Sequence, residues 1–290
     1  MTLVNPKQWI EQAQREGFAI GAFNANSAEQ IQAIVAAAQR ENAPAIVQVS
    51  HRAAVYFGDG DVLLGLRYFA GIGKVAAESV SVPIALHLDH ADASDVLEAI
   101  QLGFTSIMFD GSLLAYERNL RITETFAEAA HSAGVCFESE LGEIPKPGVN
   151  EPLQGEEGLT DPDEAAAFVA ATGIDLLAVA LGSMHAETEK HVVLDLERLK
   201  AIRARVSVPL VLHGSSGVTD DNVAQGIQLG LSKINLSTQL NKVFTEAARA
   251  ALVDGKIVDP RKYLEPARAA MTEAVRERIR FFGAAGKAEV

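Results

Sequence analysis

The chain is short of several things, and each shortage closes off a class of answer. A single cysteine, Cys136, stands among 290 residues, so no intramolecular disulfide can staple the fold. It lies in Val135-Cys136-Phe137, where a thiol packed on a strand is the expected reading. Basic residues are outnumbered: 25 Lys and Arg against 38 Asp and Glu give a formal net charge of -13. Nucleic acid and anionic membrane both bind through basic surface, so neither is expected as a partner. An anionic substrate would have to be held by local donors and a metal, against the long-range field. No uninterrupted apolar run approaches the ~18 residues of a membrane span. Met1 to Trp9 carry neither the basic start nor the apolar segment of a secretory leader, and a cytoplasmic location is expected. No low-complexity stretch or linker divides the sequence, so residues 1–290 read as one domain.

What the chain does have is apolar material in a repeating cadence. Hydrophobic residues make up 48% of it, and extended apolar runs alternate with helical patterns. A helix is expected over Asn5–Glu16, then a first strand over Phe18–Phe23 that ends in Asn24. Ser27 and Gln30 have the spacing of a capping box for an alanine-rich helix reaching Arg40. Ala43–Ser50 reads as the second strand, and residues 59–78 as an insertion of helical character. Later strands are expected over Pro83–His90, Thr105–Phe109, Val135–Leu141, Leu176–Leu181, Val208–Leu212 and Lys233–Leu236. Helices fall between them, and two more, Thr238–Val253 and Pro260–Arg280, close the chain. Alternating strands and helices make a parallel sheet. Eight such units at this length suggest an α/β fold, a (β/α)8 TIM barrel with an additional N-terminal helix and C-terminal helices. An open doubly wound sheet is the alternative, because periodicity does not prove closure.

Three of the apolar runs deliver a histidine just past their ends. Pro83–Leu88 leads to Asp89 and His90, Leu176–Leu181 to His185, and Pro209–Leu212 runs straight into His213. One histidine alone is more often structural than a ligand, and His51, His131 and His191 are read that way. The C-terminal strand ends of a barrel converge on one mouth, however, and three imidazoles with an open fourth position are the pattern of catalytic zinc. His90, His185 and His213 are therefore expected to share one metal ion. Alternation along the strand turns Asp89 and His90 to different sides. That leaves Asp89 free to act as a general acid or base, or to orient a histidine. His87 shares the parity of Asp89 and is assigned no role.

Gly214-Ser215-Ser216-Gly217 follows the seventh strand, and Asn235-Leu236-Ser237-Thr238 follows the eighth. In barrels these two loops often grip phosphate on backbone N–H groups and a helix N-terminus. Glu138 and Glu140 face one side of the fifth strand, a costly pair inside a core unless it serves a site. The stretch Gly142–Leu159, rich in Gly, Pro and Glu, reads as a long loop.

Taken together, Gly21-Ala22-Phe23-Asn24, His87-Leu88-Asp89-His90, Phe109-Asp110-Gly111-Ser112, Glu138-Ser139-Glu140-Leu141-Gly142, Thr160-Asp161-Pro162, His213-Gly214-Ser215-Ser216-Gly217, Lys233-Ile234-Asn235 and Phe282-Gly283-Ala284-Ala285-Gly286-Lys287 resemble the class II, zinc-dependent ketose-bisphosphate aldolases of fructose- and tagatose-bisphosphate type. The resemblance spans nearly the whole chain. It implies that His90, His185 and His213 bind zinc, with Glu140 a carboxylate able to approach the metal. Asp89 would be the catalytic acid. Asn24, Gly214, Ser215, Ser216, Asn235, Leu236, Ser237 and Thr238 would bind the substrate or its phosphate. It further implies a phosphorylated sugar substrate, a homodimer or homotetramer, and in some members a monovalent cation, Na+ or K+, at the phosphate loop. The chain departs from the family in two places. Ile144-Pro145-Lys146-Pro147-Gly148 replaces a loop that commonly supplies an acid for proton transfer, and Glu143, Glu151, Glu156 and Glu157 are out of register. Ala186 follows His185 where glycine is common.

The expected activity is reversible cleavage of a ketose (bis)phosphate, such as fructose 1,6-bisphosphate or tagatose 1,6-bisphosphate, to dihydroxyacetone phosphate and an aldehyde. That is a lyase of carbohydrate metabolism and glycolysis. The alternatives are an aldolase for another phosphoketose, a barrel metal hydrolase in which zinc activates water, a Schiff-base aldolase through Lys233, and a companion subunit without chemistry.

Overall fold

The computed structural model describes residues 3–145, 158–253 and 255–289. Among the described residues there are eight strands: β1 (Ile20–Asn24), β2 (Ala45–Ser50), β3 (Ile84–Ala91), β4 (Ser106–Phe109), β5 (Cys136–Leu141), β6 (Leu176–Val179), β7 (Leu210–Leu212) and β8 (Leu231–Leu236). Around them run α1 (Lys7–Glu16), α2 (Ala28–Glu41), α3 (His51–Phe57), α4 (Val62–Glu78), α5 (Ala93–Leu102), α6 (Tyr116–Ser132), α7 (Pro162–Thr172), α8 (Leu196–Arg203), α9 (Asp220–Gln228), α10 (Thr238–Ala251) and α11 (Arg261–Phe281).

Every strand pairs in parallel with its sequence neighbours, and β1 also pairs with β8, so the sheet closes. The open-sheet alternative is thereby set aside. Closure explains the continuous apolar runs, because each strand is covered by helices outside and by side chains inside. β1, β5 and β8 are buried along their whole lengths. The Cys136 thiol is fully buried on β5, and burial pushes its pKa well up, so it packs as a small apolar group.

Local signals set the helix ends. Asp161 caps α7 by accepting from Asp163 N at 2.8 Å and Glu164 N at 3.0 Å, with Pro162 in the first turn. Ser27 caps α2 as expected, accepting from Gln30 N. The reciprocal bond of the expected capping box does not form. Gln30 Oε1 accepts instead from Asn26 N at 2.6 Å, while its amide donates to Asn241 Oδ1 at 3.0 Å. The insertion expected over residues 59–78 is α4, capped by Asp61, and an unexpected short helix, α3, precedes it directly after β2. β6 ends at Val179, two residues short of the apolar run.

α1 buries Trp9, Ile10 and Ala13, and α11 packs along α2 and α10. Glu41 at the end of α2 holds α11 through Arg276 Nε and Arg280 Nε, both at 2.7 Å. No helix among the described residues is long and apolar enough to cross a membrane.

Candidate metal and substrate site at the barrel mouth

The mouth is built from the ends of β1, β3, β5, β7 and β8. Asp89 and His90 sit near the end of β3, where the ladder to β4 shifts register between Leu88 and Ala91. His90 has φ 50, a left-handed backbone that costs a non-glycine residue about 1–3 kcal/mol. The expected alternation of Asp89 and His90 therefore fails. The bulge turns both side chains toward the mouth, and His90 Nε2 lies 3.8 Å from Asp89 Oδ1. A costly conformation that aims an imidazole into a cleft is the kind that function maintains.

His213 follows β7 directly, and His185 arrives from the loop after β6. The three rings lie edge to face, with centroids 5.0 Å (His90–His213), 5.1 Å (His90–His185) and 5.9 Å (His185–His213) apart. One nitrogen from each comes within 4.8 Å of the others, close enough for a single ion with bonds to imidazole of about 2.0–2.1 Å. Asp110, one residue past β4, holds His90 Nδ1 at 3.2 Å through Oδ2, while its Oδ1 is fixed by Ser112 Oγ at 2.7 Å. His185 N donates to Pro145 O at 3.0 Å, so the loop after β5 braces the loop after β6.

His213 is flanked by both carboxylates of β5. Glu138 Oε1 lies 2.9 Å from its Nε2, and Glu140 Oε2 lies 3.2 Å from its Nδ1. The second approach lacks hydrogen-bond direction: His213 Nδ1 and both oxygens of Glu140 are buried without a hydrogen-bond partner. Atoms left so inside a core lose about 1–3 kcal/mol each unless something else satisfies them. An ion shared by the histidines, with Glu140 beside it, is a fit for these atoms. Burial pushes the His213 pKa down, but the flanking carboxylates outweigh it and raise it to about 9.

Asp89 is buried and faces two amides, Asn24 Nδ2 at 3.4 Å from Oδ2 and Asn235 Nδ2 at 3.5 Å from Oδ1. Burial pushes its pKa up, yet His90, His213, His87 and Lys233 together bring it down to about 2. It is therefore an ionised carboxylate with amide donors on either side. Gln48 Nε2 donates to Asn24 Oδ1 at 3.0 Å, and Lys233 Nζ donates to Asn235 Oδ1 at 2.8 Å. Lys233 also pairs with Glu138 Oε2 at 2.8 Å. Burial raises the Glu138 carboxyl, but Lys233 first and His213 next hold it below the ordinary range. His87 lies deeper, with Nδ1 2.7 Å from Ser106 Oγ, and burial together with the charge of Lys233 lowers its pKa to about 3.

The loops after β7 and β8 meet beside this centre. Gly214 has φ 64, and a Cβ there would lie 2.5 Å from Met184 O. Only glycine permits the loop that starts at His213 to press against the backbone that carries His185. Ser215 Oγ donates to Asn235 O across the two loops. That hydroxyl is thereby committed to the loop contact, and Leu236 is buried. Ser216, Ser237 and Thr238 are only partly buried, and Ser237 makes no side-chain cap to α10. Ala186 has φ 63, so the position where the family commonly has glycine does adopt a glycine conformation, at the cost of a methyl group in it.

The other histidines are satisfied elsewhere. His131 Nε2 meets Asp175 Oδ2 at 3.0 Å, and His191 is 62% exposed. His51 Nδ1 meets Asp95 Oδ2 at 2.6 Å on the rim. Of the acids in the loop after β5, Glu143 is described and its N donates to Gly158 O at 2.6 Å. Lys146, Pro147, Gly148, Glu151, Glu156 and Glu157 lie outside the described residues. Sequence reasoning quoted Asp110 within a motif but gave it no role, weighed Lys233 only as a Schiff-base lysine, and passed over Gln48. The signal for Asp110 was a carboxylate one residue past a strand.

The model of the family described as fructose-bisphosphate aldolase class-II matches residues 4–287. The fructose-bisphosphate aldolase of Streptococcus pyogenes serotype M3 is 39% identical over an alignment of 300 residues, covering 99% of this chain and 100% of that one. The enzyme of the same name from Geobacillus stearothermophilus is 39% identical over 291 residues, covering 99% of each. Among solved structures, the YdjI aldolase from Escherichia coli K12 superposes with a TM-score of 0.82 at 32% identity, covering 99% of this chain and 100% of that one. A putative fructose-1,6-biphosphate aldolase from Coccidioides immitis gives 0.83 at 33% identity, covering 98% of each.

Proposed function

The chain belongs to the class II fructose-bisphosphate aldolase family, and on that premise we propose that it is a metal-dependent aldolase. It reversibly cleaves a ketose bisphosphate, such as fructose 1,6-bisphosphate or tagatose 1,6-bisphosphate, to dihydroxyacetone phosphate and glyceraldehyde 3-phosphate. The observation that carries the reading is the convergence of His90, His185 and His213 within 4.8 Å, beside an ionised, amide-flanked Asp89.

In this reading His90, His185 and His213 hold zinc, and Glu140 stands close enough to exchange with a ligand. Zinc bound there supplies Lewis-acid stabilisation of the carbanion equivalent that C–C cleavage leaves behind. Asp89 takes the proton from the hydroxyl that becomes the aldehyde, and returns it in the condensation direction. Asn24 and Asn235 hold its carboxylate in place while it does so. Gly214, Ser215 and Ser216, with Asn235, Leu236, Ser237 and Thr238, present backbone N–H groups, hydroxyls and the start of α10 to the phosphate, which fixes the ketose in register with Asp89. A monovalent cation at the phosphate loop, assembly into two or four copies, and a cytoplasmic place belong to the same proposal.

Lys233 does not suit the rival Schiff-base route. It is fully buried, paired with Glu138 and donating to Asn235, which leaves it no path to a substrate carbonyl. The test is turnover of the two sugars side by side, with dihydroxyacetone phosphate as the product scored. Its release supports the aldolase and the rate ratio names the preferred sugar. Release of inorganic phosphate alone would favour the hydrolase.

A further inference from the structure

The groups that would hold metal and move the proton are joined beneath the mouth by a side chain that touches neither. Lys233 on β8 is fully buried. Its Nζ lies 2.8 Å from Glu138 Oε2 and donates to Asn235 Oδ1 at 2.8 Å. From Glu138 the path runs through the other oxygen, Oε1, to His213 Nε2 at 2.9 Å. From Asn235 it runs through Nδ2 to Asp89 Oδ1 at 3.5 Å.

Both partners have two unlike ends, and that gives the lysine its leverage. An ammonium only donates, so the end of Asn235 that faces it must be the carbonyl, and the amide NH2 is what remains for Asp89. A carboxylate only accepts, so the nitrogen of His213 that faces Glu138 carries a proton, and Nδ1, which makes no hydrogen bond, is the nitrogen left for a metal to take in place of a proton. Glu138 can serve His213 through Oε1 only while its Oε2 is held and neutralised from below. One lysine thus fixes the polarity of an amide and of an imidazole at once.

We propose that Lys233 is a positioning residue that sets the metal-binding tautomer of His213, through Glu138, and the orientation of Asn235 toward Asp89. The second half rests on the aldolase reading of Asp89; the first half does not. Gln48 is the internal contrast. It reaches Asp89 from the opposite flank, by way of Asn24, and its route does not pass through Glu138 or His213.

The experiment compares the full-length wild type with Lys233→Met and Gln48→Ala. Zinc affinity is measured by competition with a chelator, and kcat and KM are measured per bound zinc on the better of the two ketose bisphosphates. Lys233→Met should weaken zinc about 10–100-fold, the usual effect of removing an outer partner of a metal ligand. At saturating zinc it should also lower kcat at least about tenfold with KM within about threefold, the split expected when a transition-state interaction is lost. Gln48→Ala should lower kcat and leave zinc affinity within about threefold. A lysine that merely stabilised the fold would lower the melting temperature and leave both zinc affinity and kcat per zinc in place. If Lys233→Met does not fold, the double variant Lys233→Met/Glu138→Gln removes both buried charges and should show the same two losses. Either quantity staying within about threefold of wild type overturns the proposal. Wild type that binds zinc but releases no dihydroxyacetone phosphate would sink the aldolase reading alone, and the zinc arm would still decide the role of Lys233.

Discussion

Two clusters of the same composition sit at different depths of the barrel, and they have different fates. Just before β6, at the N-terminal end, Asp175 takes Lys7 Nζ at 2.7 Å, His131 Nε2 at 3.0 Å and the N–H of Phe137 at 2.8 Å. Inside the barrel below the mouth, Glu138 takes Lys233 Nζ at 2.8 Å and His213 Nε2 at 2.9 Å. Each is a buried carboxylate with one lysine and one histidine. The partners differ: Lys7 and His131 are 45% and 42% exposed, while Lys233 and His213 are fully buried. At the lower rim, water shares the charge and the cluster stitches α1, α6 and the sheet together. Below the mouth nothing is shared with water, and His213 keeps a second nitrogen with no hydrogen-bond partner. Composition alone does not make a site; a buried atom left over does.

The sharpest way to break the comparison is to delete the two histidines in turn. His213→Ala should abolish zinc retention and turnover, whereas His131→Ala should leave both unchanged; zinc content by atomic absorption, alongside the cleavage assay, reads the contrast. Next in size, Asp89→Asn should lower kcat by about 10²–10⁴-fold, the range for a lost general acid–base group, with zinc content intact. Near-normal turnover in that variant would remove Asp89 from its role. Asp175→Ala should do the reverse. It strands the N–H of Phe137, at a cost of about 1–3 kcal/mol, so the melting temperature falls by several degrees while kcat holds.

The smallest effect lies in pH dependence. The His213 pKa is raised in the folded, metal-stripped chain from 6.5 to about 9. Its stabilisation is therefore complete below pH 6.5 and drains away as pH climbs to 9. Hydrogen bonding to Asp175 raises the Lys7 pKa above 10.5, so the Lys7–Asp175 pair keeps its contribution until pH passes that value. Melting curves of metal-stripped protein should show the earlier decline, and His213→Ala should lack it. Lys7→Met should cost at most about 1 kcal/mol, because an exposed partner is screened.

The sequence carried the barrel plainly, since buried parallel strands cannot hide their apolar runs, and Asp89 and His90 near the end of β3 and His213 just past β7 stand where a mouth must be. It carried His213, which follows its strand without a break. His185 was harder: β6 stops at Val179, and the residue reaches the centre through a loop whose path depends on Gly214 and Pro145. The shared aim of Asp89 and His90 was not legible, because period-two alternation has no term for a left-handed residue at a bulge. Nor was the hub of Lys233, Glu138 and Asn235 legible as a unit, since contacts between β5 and β8 inside the barrel exist only once the sheet has closed.

The central claim is that three histidines hold one metal on which an aldol cleavage depends. It is tested most directly by stripping the protein with EDTA, titrating zinc back, and following dihydroxyacetone phosphate release from fructose 1,6-bisphosphate and tagatose 1,6-bisphosphate. The account predicts that activity disappears on stripping and returns in proportion to zinc, saturating at one ion per chain. Cleavage that persists without metal, or zinc that binds and restores nothing, would contradict it.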